Sequence, residues 1–201
     1  MTIALASPPL LLRPSLLLRQ SEEGPLLDEA YGRAPAAIML SRDFASGLFL
    51  GEQPAAHDDI AALGMSLHQA WDRSAAQLLS TAQRTQGTQF RTRAASALHP
   101  HFRGQPVWQV DCPGSPATAW LAHPYPFTVL HRHLTSLGSG AQPWYFAPRP
   151  DILLAAPQGT EVDLSVIPVR LCAHPIGYRH GFPTLFPGSV GRSVGHSRPQ
   201  G

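Results

Sequence analysis

Five residues near the C-terminus, Gly191-Arg192-Ser193-Val194-Gly195, match the G-x-S-x-G elbow that presents a serine nucleophile in α/β-hydrolases. The chemistry would be acyl transfer, with the hydroxyl exposed by a strained turn between a buried strand and a helix. Neither flank has that character: FPGSV precedes the elbow and HSRPQG follows it. Of the acid and histidine that should come after the serine, only His196 does. The surrounding stretch also repeats Ser-Val-Gly, which makes a chance match easy. Ser193 is therefore read as an accident of composition and not as a nucleophile.

Cys112, in VDCPGS, is the next candidate, because a turn after a strand could expose its thiol. A cysteine nucleophile needs a base, and His123 is the nearest histidine. Pro113 removes one backbone donor that could have lowered the thiol pKa, and a small buried thiol is the expected outcome. Ten histidines invite a metal reading, above all His131 and His133, His99 and His101, and Cys172-x-His174. On a helix, residues two apart point about 160° away from each other, so His131 and His133 cannot share an ion. Zinc needs three or four ligands, and the chain contains no H-E-x-x-H and no C-x-x-C. No metal and no cofactor are expected. Asp111 and Asp151, both at strand ends, could form a carboxylate pair but are expected to cap turns.

The aromatic residues gather in the second half of the chain: Trp108, Trp120, Tyr125, Phe127, Trp144, Tyr145 and Phe146. Interleaved with Arg132 and Arg149 they could stack bases, but no RNA-binding signature accompanies them. Core packing accounts for most of the cluster, and Trp144, Tyr145 and Arg149 are the positions expected to contact a partner.

Composition narrows the choice of chemistry. All 15 basic residues are arginine, so a lysine Schiff base and a P-loop lysine are excluded. A net charge of +2 does not make nucleic acid the default partner. The N-terminal MTIALASPPLLLRPSLLLRQ is apolar, yet three prolines and Arg13 interrupt it and no basic residue precedes the apolar run. It makes a poor signal peptide and is too short to span a bilayer, so a cytoplasmic protein with reduced thiols and no membrane partner is expected.

The elements that must position these residues are partly legible. SLHQAWDRSAAQLLSTAQR opens with Ser66 and Gln69 in capping-box spacing and continues with apolar residues at helical intervals, which predicts a helix over 67–84. HPYPFTVLHRHLTSLG predicts a second helix, entered by Pro124 and Pro126 and stopped by Gly138. Residues 57–64 predict a short helix ending at Gly64, and 36–51 a hairpin. Strands are expected at 88–93 and 106–111, on either side of a Pro-Arg-Pro-Asp turn in PWYFAPRPDILLAAP, and in EVDLSVIPVRL. The whole reads as α+β, a mainly antiparallel sheet with two principal helices packed on one face. Residues 1–35 are expected to form a partly irregular N-terminal arm, in which Leu10–Leu12 and Leu16–Leu18 are short strands or a packed extended segment, with 36–172 a single globular domain and 173–201 a basic tail disordered from 187.

No set of catalytic types converges in this pattern. The expectation is a non-enzymatic cytoplasmic interaction module that binds an unidentified protein partner. The alternative is a small hydrolase using the Cys112/His123 pair or a His/Asp metal site.

Overall fold

The computed structural model describes residues 12–19 and 32–186. The elbow serine Ser193 and the tail from 187 lie outside the described residues. The fold is α+β, with every strand pairing antiparallel.

The strands divide between two principal sheets. In the first, β1 (Leu12–Leu18) and β2 (Ala37–Met39) flank β3 (Phe44–Leu50), and the two-residue β4 (Gln53–Pro54) pairs with the end of β3. β1 alternates buried and half-buried residues and pairs along the whole length of β3. Its Leu12 and Leu16 are in the core.

Two helices follow. α1 (His57–Ala62) is short, and Gly64 beyond it has φ +69°, the left-handed value that glycine adopts without strain. α2 (Leu67–Ala82) starts where its capping box predicts: Ser66 Oγ accepts the Gln69 N–H, and Gln69 Oε1 accepts the Ser66 N–H. It buries Ala70, Trp71, Ser74, Ala75, Leu78 and Ala82 on one face and packs against β1. The helix ends two residues earlier than its periodicity suggests, because β5 (Gln83–Arg84) pairs with β6 (Gly87–Thr88) in a small ribbon.

The second sheet has six strands. It contains β7 (Arg91–Ala94), β8 (Trp108–Asp111), β9 (Pro143–Arg149), β10 (Ile152–Pro157), β11 (Ile176–Arg179) and β12 (Phe182–Leu185), in the spatial order β12-β11-β9-β10-β8-β7. β10 is central, as its uninterrupted apolar run requires. α3 (Pro124–Leu137) follows a six-residue 3₁₀ segment, Ala117–Ala122, whose residues are all buried.

One core joins both sheets, α2 and α3, and contains Leu16, Phe44, Leu48, Trp71, Trp120, Phe127, Tyr145 and Leu153. The opposite face of the six-stranded sheet is covered by a second cluster built on Phe102, Phe146, Leu154, Leu164 and Ile167.

Two regions differ from the expectation. EVDLSVIPVRL forms no strand; Leu164 and Ile167 are instead buried anchors of an irregular cover, and Pro168 lacks the N–H a ladder needs. Beyond Cys172, where the pattern fades, β11 and β12 form a hairpin. Its two-residue turn is His180-Gly181, with φ +52° and +90°, the pair of positive values that matches strand twist.

Candidate functional site

Cys112 closes β8 and is 2% exposed. Burial, and secondarily the charge of Asp111, push its thiol well above the ordinary cysteine range, so it stays protonated. Cys172 is also free and buried, its thiol raised by burial, and its Sγ–H donates to the carbonyl of His174. The Cys172-x-His174 pair therefore meets through the backbone and not through the imidazole.

His123 is not the base for Cys112. It caps α3: Nδ1 accepts the Tyr125 N–H at 3.1 Å, and Nε2 then carries the proton it donates to Asp72 Oδ1 at 3.2 Å. Its ring also lies 4.1 Å from that of Trp71, centroid to centroid. With both nitrogens engaged, no lone pair is left to take a proton from a thiol. Burial lowers the His123 pKa, and the bond and charge of Asp72 partly oppose that.

The remaining histidines disperse. His131 is buried, with Nδ1 3.0 Å from the Tyr145 hydroxyl and Nε2 2.8 Å from Gln142 Oε1. His133 lies on the other side of α3, its ring against Phe90, and burial lowers its pKa. His99 Nδ1 accepts the His101 N–H, and His101 Nε2 pairs with Asp163 at 3.1 Å. Among the described residues no three His, Cys, Asp or Glu side chains come together as a metal site. Asp151 accepts two hydrogen bonds from Arg149 across the β9–β10 turn, and Asp111 stands opposite Arg91 in the β7–β8 ladder.

The positions expected to bind a partner also separate. Tyr145 is 0% exposed, with its ring on Phe127 and its hydroxyl on His131, so it belongs to the core and offers nothing to a partner. The reason is the strand period: Tyr145 faces α3, while Trp144 and Phe146 face the second cluster. Trp144 is half-buried against Phe186, and its buried Nε1 has no hydrogen-bond partner among the described residues. Arg149 is held by Asp151. Trp120, 0% exposed, donates its Nε1–H to Ser115 Oγ.

The comparisons with known proteins add nothing to this geometry. No family model, no curated protein and no solved structure matches the chain.

Two surface features have no counterpart in the sequence reading. One is an open groove of about 460 Å³ lined by the β5–β6 ribbon, Gln89, Phe90 and His133. The other lies where the two principal sheets meet. There the β2–β3 loop and the β11–β12 hairpin form two adjoining clefts of about 520 and 590 Å³. Arg19 and Arg42 line the first, Arg42, Arg179 and His180 the second, and Asp43 is shared by both. These residues come from three segments distant in sequence, so no local motif could announce them.

Proposed function

We propose that the protein is a non-catalytic protein-interaction module of the cytoplasm. The observation that supports this most is how the candidate reactive groups are used. Cys112 is buried and protonated, and His123 and His131 each spend both ring nitrogens on bonds that hold the fold together. A nucleophile must be exposed and activated by a base with a free lone pair. The surface, by contrast, carries an arginine-bordered cleft of a size that takes a ligand. Two buried free thiols suit a reducing compartment. Among the described residues no helix is long and apolar enough to cross a membrane.

The test is reconstitution. The intact chain is used to capture a partner, the partner is purified separately, and the pair is titrated by calorimetry. A saturable complex of defined stoichiometry is expected, with no turnover of p-nitrophenyl esters or of an unstructured peptide. Turnover that scales with protein, and is lost in Cys112→Ala or His123→Ala, would overturn the reading in favour of a small hydrolase.

A further inference from the structure

Hydrogen bonds between its walls hold the arginine-bordered cleft in shape among the described residues. Its floor is the loop between β2 and β3, in which Ser41 Oγ accepts the N–H groups of both Asp43 and Phe44. β1 holds this loop from one side: the Arg19 N–H donates to the Asp43 carbonyl, and the Arg19 guanidinium donates to the Arg42 carbonyl, both at 2.9 Å. The hairpin holds it from the other side, where Asp43 Oδ2 accepts the Leu185 N–H at 3.2 Å. Asp43 thus ties the two sheets together, and its side chain is only 20% exposed. Arg42 is the reverse, 93% exposed and no closer than 3.6 Å to the Asp43 carboxylate. Arg179 stands on the facing wall, at the end of β11. Between them lie apolar surfaces of Leu18, Leu40, Phe182 and Leu185.

We propose that this cleft binds an acidic, unphosphorylated peptide segment of a partner protein, with its carboxylates on Arg42 and Arg179 and its apolar side chains on the leucine and phenylalanine floor. The inference rests on the reading of the protein as an interaction module. Charge complementarity selects the ligand's sign: among the described residues that line the clefts Asp43 is the one carboxylate, its Oδ2 accepts from the Leu185 N–H and its Oδ1 lies 3.6 Å from Arg42 Nε, so Arg42 and Arg179 together carry more positive charge than it offsets. Planar guanidinium groups match carboxylates with two parallel hydrogen bonds. The neighbourhood argues against phosphate as the intended group. The hairpin tip rests on Pro124 at the start of α3, yet that helix offers no free N–H, because Pro124 and Pro126 have none and His123 takes that of Tyr125. Nucleic acid would want several aromatic platforms beside the charges, and among the described residues the cleft is lined by the rings of Phe182 and His180 alone.

Fluorescence anisotropy on the full chain tests the inference. The probe is a short labelled peptide of Glu, Asp and Leu; the comparison probes are its Gln/Asn/Leu counterpart, a phosphoserine version and a single-stranded oligonucleotide. The acidic peptide is expected to bind best and to weaken as salt rises. Arg42→Ser with Arg179→Ser should weaken it about tenfold or more, with the melting temperature unchanged. Arg103→Ser with Arg170→Ser, outside the cleft, should leave binding as it is. Equal binding of the uncharged peptide, tighter binding of the phosphopeptide or oligonucleotide, or indifference to the Arg42/Arg179 change would overturn the inference. A reconstituted partner complex that survives the cleft variant would sink the cleft proposal alone. Absence of any complex together with ester turnover would sink the module reading itself.

Discussion

The imidazole of His131 lies flat on the ring of Tyr178, with 3.9 Å between centroids and 8° between planes. The Tyr178 hydroxyl is in turn 3.0 Å from Thr128 Oγ1, one turn earlier on α3. This stack joins the hairpin β11–β12 to α3, and the Tyr145 hydroxyl and Gln142 occupy the two ring nitrogens. Gln142 Oε1 accepts from Nε2, Nδ1 faces the Tyr145 hydroxyl, and burial lowers the pKa of the ring, which favours its neutral form.

That neutrality makes stability depend on pH. Burial lowers the pKa of His131, of His123 and of His133 below the ordinary 6.5. As pH falls through that value the unfolded chain takes up protons before the folded one does, so the unfolded state gains stability. The melting temperature should therefore drop between pH 7.5 and 5.5, before carboxylates titrate. His131→Gln should flatten that dependence while lowering the midpoint at pH 7.5. Identical slopes in the two proteins would show that His131 takes no part in it.

Trp71 should be a main anchor of α2. It is buried, and its Nε1–H reaches both Ser46 Oγ at 3.1 Å and the Ala122 carbonyl at 2.9 Å. One side chain thus ties α2 to β3 and to the 3₁₀ segment before α3. Trp71→Ala should cost about 3–5 kcal/mol in denaturant unfolding. Trp71→Phe should keep much of the apolar contact and still cost about 1–3 kcal/mol for the two acceptors left unpaired. A loss under about 1 kcal/mol for the alanine variant would mean that the face relaxes without it.

These elements also show what local patterning can and cannot reveal. α2 is legible because its cap, Ser66 with Gln69, and its apolar stripe are both short-range signals. α3 and the β9–β10 pair are legible for the same reason. EVDLSVIPVRL misleads because Leu164 and Ile167 are buried without joining a ladder, and apolar spacing alone does not separate a strand from an irregular cover. Tyr145 misleads because both faces of β9 are covered, so alternation between Tyr145 and Trp144 leaves no polar side in the sequence. The cleft is invisible because Arg19, Arg42 and Arg179 meet only after two sheets have assembled.

Cys112 should behave as a packing group. In native protein at neutral pH it should resist iodoacetamide over hours, while the same reagent labels it at once in denaturant, as intact-mass spectrometry will show. Fast native labelling would mean that the turn 112–115 opens, and would restore the thiol as a reactive centre.

Gly177 and Phe186 should prove coupled. A Cβ built on Gly177 overlaps the Phe186 ring, so the last described residue lies directly across β11 where only glycine leaves room. Phe186 also packs on Trp144, with ring centroids 5.2 Å apart and planes tilted by 31°, and its N–H donates to the Pro175 carbonyl, which fixes the backbone that carries the ring. Gly177→Ala should therefore displace Phe186 and cost about 1–3 kcal/mol, as overpacking does. Phe186→Ala should cost a similar amount through lost contact with Trp144 and the β11 surface. The double variant should lose less than the sum of the two, because the methyl group enters space the ring has left. Denaturant unfolding of the four proteins measures the coupling directly. Additive losses would mean that Phe186 does not rest on Gly177 in solution, and that the hairpin is held by its other contacts, the His131–Tyr178 stack and the Asp43–Leu185 bond among them.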